Sequence, residues 1–268
     1  MADRMEHDSL GDIAVPADAY YGAQTHRARD TFRISGLRAH PEFIRATALV
    51  KLASARANAE LGKLDARLAD AIELAAREIA GGAMRDQFVV DVFQAGAGTS
   101  HNMNANEVIA NRANELLGGR LGAYDPVHPN DHVNMSQSTN DTVPAAIRLA
   151  ALSMTPALLA AFDDLAAALE EKSREFDPIL KSARTHLRDA VPIRLGQEFG
   201  AYAWTLRRDT SRVEAASDYL RDLNLGGTAA GTGMNTHPDY AGTVVDHLSA
   251  VCGFTLRPAA NLISVTQS

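Results

Sequence analysis

Val127-His-Pro-Asn-Asp-His-Val-Asn-Met-Ser-Gln-Ser-Thr-Asn-Asp-Thr142 is the densest polar stretch of this chain, and a long apolar helical pattern follows it directly. The stretch carries two His, two Asp, three Asn, one Gln, two Ser and two Thr, in a chain that is 46% hydrophobic. Unpaired backbone N–H groups and the helix dipole both favour an anion at a helix N-terminus. The pattern therefore predicts a helical protein with an anion-binding loop ahead of one of its largest helices.

Apolar residues recur at three-to-four-residue spacing in several segments, which predicts helices. The predicted helices cover residues 41–61, 65–80, 104–117, 142–176, 195–223 and 240–251. Residues 1–40 look irregular, strand-like alternation is scarce, and no terminal helix is evident after Asn261. We also expect a kink at Pro156. The fold class is therefore mostly α, with long helices suited to a bundle.

Composition narrows the class of protein. The net charge of −7 argues against a general nucleic-acid or anionic-membrane surface, although a pocket can be locally positive. The single cysteine, Cys252, excludes an internal disulfide framework and a Cys-based metal cluster. We see no secretory signal in residues 1–20 and no apolar run of the ~18 residues expected of a membrane span. A cytoplasmic protein fits these features.

The predicted helix at 195–223 carries apolar residues on more than one face, among them Phe199, Trp204 and Tyr219. A helix of this kind needs partners on several sides. The sequence supplies few such partners before it stops at Ser268. The missing surface is therefore expected from an oligomer or from further chain.

Polar segments other than the first also interrupt the helices, at residues 94–104, 184–192 and 224–235. A Gly-rich loop with a helix cap explains Thr99 and its neighbours if they are considered alone, and capping equally explains Ser138, Thr139 or Asn140 singly. The loop at residues 127–142 has neither a helical register nor a Cys partner, so metal ligation by its His128 and His132 is disfavoured. The Gly/Thr-rich segment 224–235 lacks the Lys and the setting of a P-loop. Together the segments offer neutral donors for a small carboxylate and for added negative charge, with no cofactor fingerprint.

At this point the residues resemble the aspartase/class II fumarase superfamily of lyases. The similarity rests on ordered motifs and runs from about Val15 to the end of the chain. The matching motifs are Ala97-Gly-Thr-Ser-His-Asn-Met-Asn-Ala-Asn-Glu-Val-Ile-Ala-Asn-Arg112, the segment from His128 to Thr142, Thr185-His-Leu-Arg-Asp-Ala-Val-Pro-Ile-Arg-Leu-Gly-Gln-Glu198, and Gly226-Gly-Thr-Ala-Ala-Gly-Thr-Gly-Met-Asn235.

The resemblance implies a homotetramer whose long helices form a shared bundle, with each active site built from loops of three subunits and no cofactor or metal. It implies an N-terminal mainly helical domain at residues 1–136 and an incomplete central bundle domain at 137–268. Substrate carboxylates or the leaving group would be bound by Thr99, Ser138, Thr139, Asn140 and Thr185. His186 would assist catalysis by charge and hydrogen bonding. His128, Asn130 and Asp131 resemble a second dicarboxylate site of fumarases.

One departure from the family pattern concerns the catalytic base, a serine on a mobile Gly-Ser-Ser loop followed by Met-Pro-x-Lys. Neither motif occurs in this sequence. We therefore expect the chain to be truncated before the end of the bundle and the C-terminal domain, and to be inactive alone.

The motifs favour the aspartase branch, which deaminates L-aspartate to fumarate. Residues 94–100, the pair Ser138-Thr139 and the segment 224–240 are aspartase-like, whereas Val127-His128-Pro129 and Thr185-His186-Leu187 are common in fumarases. A class II fumarase that interconverts fumarate and L-malate stays open as the alternative. A binding or assembly protein on a lyase scaffold is a further alternative, from a non-enzymatic class of function.

Overall fold

The computed structural model describes residues 2–267 and is 57% helical, which confirms the mostly α fold class. Helices account for the long elements of the chain. They are α1 (Ala23–Thr31), α2 (Pro41–Glu60), α3 (Ala66–Ala80), α4 (Thr99–Leu116), α5 (Thr139–Glu175), α6 (Leu195–Tyr219), α7 (Tyr240–Cys252) and α8 (Leu262–Gln267). The predicted helices are thus confirmed with shifted ends: α4 begins five residues earlier than expected, and α6 ends at Tyr219. The short α8 lies where no helix was expected.

Strands occur within residues 1–40, which were expected to be irregular, between the long helices, and at the end of the predicted helix 195–223. They are the antiparallel pairs β1 (Asp3–Asp8) with β2 (Gly11–Pro16) and β3 (Leu180–Thr185) with β4 (Arg188–Arg194), and a short parallel pair, β5 (Asp222–Leu223) with β6 (Arg257–Pro258). At the first turn, Gly11 has φ +105° and the Asp8 carboxylate accepts a hydrogen bond from the Leu10 N–H. The expectation of irregular structure over residues 1–40 was therefore wrong. The turn residues Asp8 and Gly11 favour a hairpin, although the alternation of apolar and polar residues in its strands is weak.

The chain divides into two compact units, one running up to Ala150 together with the chain from Arg221 onward, the other spanning Ala151–Leu220. In the first unit α2 packs against α3 and α7, and α3 packs against α4. The amphipathic α3 shows why: Ala69, Ile72, Ala76 and Ile79 follow helical spacing and are buried. Its start is fixed by Asp65, whose carboxylate caps the N–H groups of the first turn. The predicted division at 136/137 stays a prediction.

The second unit consists of most of α5, the hairpin β3–β4 and α6. Phe176 stacks edge-on against Phe199 with ring centroids 5.0 Å apart, and Arg207 on α6 forms ion pairs with Asp163 and Glu170 on α5. Much of the apolar surface of α6 stays uncovered in the single chain, since Trp204 is 69% exposed.

Helix α5 is continuous across Pro156 and is the one helix of the described chain with the length and composition to cross a membrane. Its most apolar 18-residue window has a mean hydropathy of 1.6 and is 28% buried. This criterion tolerates charged residues, whereas the longest uncharged stretch of α5 runs only from Leu149 to Phe162, between Arg148 and Asp163. A core helix of a helical bundle passes the same test, so composition alone is weak evidence for a membrane.

Candidate active site

The polar stretch at residues 127–142 forms one wall of a cleft in the first unit. A single π-helical turn (Pro129–Val133) leads into a loop, and α5 begins at Thr139. The cleft has a volume of about 570 Å³. Its lining comes from the two polar segments 127–142 and 224–235 and consists of Asn130, Asn134, Met135, Ser136, Gln137, Ser138, Thr139, Thr228, Ala229, Met234 and Asn235. In the described part of the chain, no charged side chain belongs to this lining.

The start of α5 is capped by its own loop. The Ser138 hydroxyl accepts a hydrogen bond from the Asn140 N–H at 3.2 Å, and the Ser138 carbonyl accepts from the Asp141 and Thr142 N–H groups. Ser138 is therefore the helix cap, whereas the sequence alone left Ser138, Thr139 and Asn140 as equal candidates. Thr139 lines the cleft at the first residue of the helix, where the helix dipole is positive.

Asp141 joins the two segments that build the cleft. Its carboxylate accepts hydrogen bonds from the backbone N–H groups of Ser138 at 2.9 Å, Gly226 at 3.1 Å and Thr228 at 2.9 Å. Burial raises the pKa of Asp141, and these N–H donors oppose that rise. A fully buried carboxylate with three backbone donors holds the loops on both sides of the cleft in register.

Asn140 strengthens the same junction. Its side-chain amide donates to the Ala229 carbonyl at 2.9 Å, and its own carbonyl accepts from the buried Asn224 amide at 3.0 Å. Asn140 also lines a neighbouring cleft of about 590 Å³ that shares Ala229 with the first. The structure therefore brings together two of the four polar segments through backbone and amide hydrogen bonds.

The segment that contains Thr99 reaches the same region from α4. Thr99 is exposed at the first position of α4, directly after Gly98, which has φ +81°. A Cβ on Gly98 would lie 3.0 Å from the Val143 side chain, so this loop packs closely on the start of α5. One turn further along α4, the Asn102 amide donates to the Thr139 hydroxyl at 3.3 Å and to the Asn134 side-chain oxygen at 3.2 Å.

A buried lysine that was not among the predicted site residues lies behind the cleft wall. Lys51 on α2 is 0% exposed, and its Nζ donates to the side-chain oxygens of Asn134 at 2.8 Å and Gln137 at 2.9 Å. Burial lowers the pKa of Lys51 to about 7, opposed by the negative charge of Asp141. In the sequence Lys51 stands out only as a single charged residue within the apolar run from Leu49 to Ala53.

Thr185 and His186 belong to the second unit. Thr185 ends β3 and pairs with Arg188, so that His186 and Leu187 form the two-residue hairpin turn. Both turn residues have positive φ, 47° for His186 and 64° for Leu187, as the favoured hairpin turns require. Thr185 and His186 are exposed. Their predicted roles in a shared site stay predictions.

His128, Asn130 and Asp131 cluster at the π-helical turn. The His128 Nδ1 accepts from the Asp131 N–H at 3.2 Å and lies 3.3 Å from the Asp131 carboxylate. Asn130 lines both the main cleft and a smaller pocket of about 220 Å³ that also includes His128 and Glu107. No group of three or more His, Cys, Asp or Glu side chains within residues 2–267 has the arrangement to hold a metal ion.

The chemistry of this cleft follows from its groups. Neutral hydroxyl and amide donors at a helix N-terminus suit a carboxylate, and they strengthen as negative charge builds up on its oxygens. The wall itself carries no acid or base within the described chain that could take a proton from carbon. The groups of this wall can donate hydrogen bonds to a carboxylate and stabilise added negative charge.

Comparison with known proteins is consistent with this chemistry. The model of a family described as lyase matches residues 11–268. A class II fumarate hydratase of Halobacterium salinarum is 52% identical over 259 residues, covering 96% of this chain and 55% of that protein. An aspartate ammonia-lyase of Bacillus subtilis is 48% identical over 265 residues, covering 99% of this chain and 56% of that protein.

Solved structures agree with the sequence comparisons. A fumarate lyase:delta crystallin of Brucella melitensis bound to cobalt superimposes with a TM-score of 0.94 at 50% identity, covering 99% of this chain and 58% of that one. A class II fumarase of Schistosoma mansoni gives a TM-score of 0.91 at 34% identity, covering 98% of this chain and 59% of that one. The chain thus spans little more than half the length of these relatives.

Proposed function

This chain belongs to the aspartase/class II fumarase superfamily of lyases, and from that premise we propose that the whole protein is an aspartate ammonia-lyase. It would convert L-aspartate reversibly to fumarate and ammonia. The observation that carries the proposal is the junction of Ser138, Thr139 and Asn140 with the Gly/Thr-rich loop at the N-terminus of α5. This junction forms an uncharged, donor-rich cleft of a size that suits a small dicarboxylate.

The reaction needs a base to remove a proton from the carbon next to one carboxylate of aspartate. The electron pair moves into that carboxylate and gives an aci-carboxylate, and the carbon–nitrogen bond then breaks to release ammonia. Thr99, Ser138, Thr139 and Asn140 bind the carboxylates or the leaving group in this proposal. Their hydrogen bonds lower the barrier because they grow stronger as charge accumulates on the oxygens. The base would be the loop serine that the family resemblance implies.

The test uses the protein expressed from its uninterrupted gene. Fumarate formation from L-aspartate and from L-malate is followed in parallel by ultraviolet absorbance. Fumarate from aspartate alone supports the proposal, and fumarate from malate alone makes the protein a fumarase. Thr139→Ala should lower kcat/KM by about 10²-fold, as loss of one charge-stabilising donor typically does. Thr31→Ala, at the exposed end of α1, removes a similar hydroxyl away from the cleft and should leave the rate unchanged.

A class II fumarase is the second candidate. It is supported by the similarity to the Halobacterium salinarum fumarate hydratase and by the His128-Pro129 motif. The two activities share the same intermediate and differ in the leaving group, ammonia or water. A non-catalytic binding protein is the third candidate, and it would bind fumarate without turning over either substrate.

The proposal includes self-association to a homotetramer in which each site takes loops from three subunits. Its support is the exposed apolar surface of the second unit, including Tyr202, Trp204 and Tyr219, together with the family membership. In such an assembly Thr185 and His186 of one subunit would meet Thr139 of another.

Mixing two inactive variants tests this arrangement. Thr139→Ala and His186→Ala would each be strongly impaired as pure proteins. After unfolding and refolding in equal amounts, about a quarter of the sites would combine an intact Thr139 with an intact His186 if the two residues come from different subunits. No recovered activity above the sum of the two pure variants would contradict a shared site.

A further inference from the structure

We propose that Lys51 is a positioning residue for the cleft. Its Nζ donates hydrogen bonds to the side-chain oxygens of Asn134 and Gln137, and in its ammonium form it places a positive charge behind the uncharged wall that would receive a dicarboxylate. This inference rests on the proposed function for the identity of the ligand. It goes beyond that function because Lys51 is fully buried and does not line the cleft.

The hydrogen-bond geometry defines the role. A lysine side chain has only donors, so the two amide groups that it contacts must both turn their oxygens toward it. The distances are 2.8 Å to Asn134 and 2.9 Å to Gln137. The Asn134 oxygen also accepts from Asn102, and the Gln137 amide nitrogen is then directed to the Val133 and Met135 carbonyls. The loop from 133 to 137 is therefore held by a network centred on Lys51.

The charge of the ligand bears on the protonation of Lys51. A lysine that is 0% exposed loses its hydration, which the protein tolerates only where acceptors or an opposite charge compensate. Here the compensation comes from two amide oxygens and from the buried Asp141, which is itself engaged with the backbone N–H groups of Gly226 and Thr228. A dianion in the cleft adds a further favourable interaction with the ammonium form. Binding of a dicarboxylate and protonation of Lys51 therefore favour each other.

Two substitutions separate this role from simple packing. Lys51→Met keeps the length of the side chain and removes both donors and charge, and Lys51→Gln keeps a donor and removes the charge. Lys63→Met is the matched control, since Lys63 is exposed after the end of α2 and its removal changes the net charge by the same amount. All variants are made in the protein from the uninterrupted gene.

Three measurements give the result: kcat and KM for both substrates, the Kd of succinate as a non-reacting dicarboxylate, and hydrogen exchange of the amides at 133–138. Lys51→Met should raise KM and the succinate Kd by about 10-fold or more while kcat changes by less than about threefold, as expected for lost ground-state electrostatics. Exchange at 133–138 should accelerate. Lys51→Gln should raise the Kd with a smaller change in exchange, and Lys63→Met should match the wild type.

Unchanged succinate affinity and unchanged exchange in Lys51→Met would overturn the proposal. A fall in kcat at constant KM would overturn it as well. If Lys51→Met fails to fold, Lys51→Gln decides by the same criteria. If the wild-type protein turns over neither substrate, the proposed reaction fails, whereas succinate affinity and hydrogen exchange still decide the role of Lys51.

Discussion

Replacing Asp141 by Asn removes one negative charge from beneath the cleft while keeping the shape of the side chain. In the wild type one carboxylate oxygen accepts from the Gly226 and Thr228 N–H groups, at 3.1 and 2.9 Å, and the other accepts from the Ser138 N–H at 2.9 Å. An amide has one oxygen, so its NH₂ group must face one of these donor sets. At least one buried N–H group then loses its acceptor.

The structure sets the size of the effect. An unsatisfied buried donor costs about 1–3 kcal/mol, and hydrogen bonds to a charged acceptor are worth about 1.5–3 kcal/mol each. Loss of the opposite charge near Lys51 adds to this, whereas the lower desolvation cost of a neutral amide subtracts from it. We expect Asp141→Asn to lower the free energy of unfolding by about 3 kcal/mol, which corresponds to roughly 6–12 °C in Tm for a domain of this size.

Urea unfolding and thermal melting at fixed protein concentration measure the loss, and hydrogen exchange locates it. The amides of Gly226, Thr228 and Ser138 should exchange faster than in the wild type. Asp131→Asn is the control, because the Asp131 side chain is 74% exposed and its replacement should stay within about 0.5 kcal/mol of the wild type. The reasoning is wrong if Asp141→Asn melts with the control and the three amides stay protected.

Other predictions concern pH, backbone strain and assembly. Burial would raise the pKa of Asp91, but its backbone and hydroxyl donors lower it to about 2, below the unfolded value of 3.8. Its contribution to the free energy of unfolding is therefore present above about pH 4 and lost as the pH falls toward 2. In Asp91→Asn the free energy of unfolding should depend less on pH over this range. Gly226→Ala, at φ +90° with Ala241 only 2.8 Å from the new Cβ, should cost about 2 kcal/mol more in unfolding experiments than Gly62→Ala, at φ +67° in open space. Trp204→Ser should weaken self-association in sedimentation experiments, and an unchanged assembly would exclude this part of α6 from the interface.

The sequence predicted the helices well because their apolar spacing is strong and local. The periodicity of α3 and the stop after α2 are both evident from residues next to each other in the chain. The hairpin at residues 3–16 escaped prediction because its strands are short and only Glu6 and Val15 are buried in them. Alternation over so few residues does not separate a strand from irregular chain.

The candidate site likewise has one part that the sequence predicts and another that it does not. The polar loop and its position ahead of α5 follow from the order of residues around Ser138, so they could be predicted, whereas the choice of Ser138 as the cap could not. The junction with the Gly/Thr-rich loop could not be derived from spacing, because Asp141 and Thr228 are far apart in the sequence and meet only through tertiary packing. Lys51 was not predicted as a site residue because of a local assumption about charged residues. A single charged residue in an apolar helix is usually assigned to the exposed face, and only the packing around α2 shows that this face is buried.

If the proposed function is correct, Lys51 and Asp141 together explain how an acidic chain would offer a place for a dianion. The net charge of −7 opposes anion binding at long range, so attraction has to arise locally. Charged residues in the cleft wall would provide attraction, but they would also be exposed to water, which screens them. Here the positive charge lies behind Asn134 and Gln137, while the negative charge of Asp141 is turned toward backbone N–H groups. Each buried charge holds a different loop in place, so the shape of the cleft is maintained while no charged side chain of the described residues lines it.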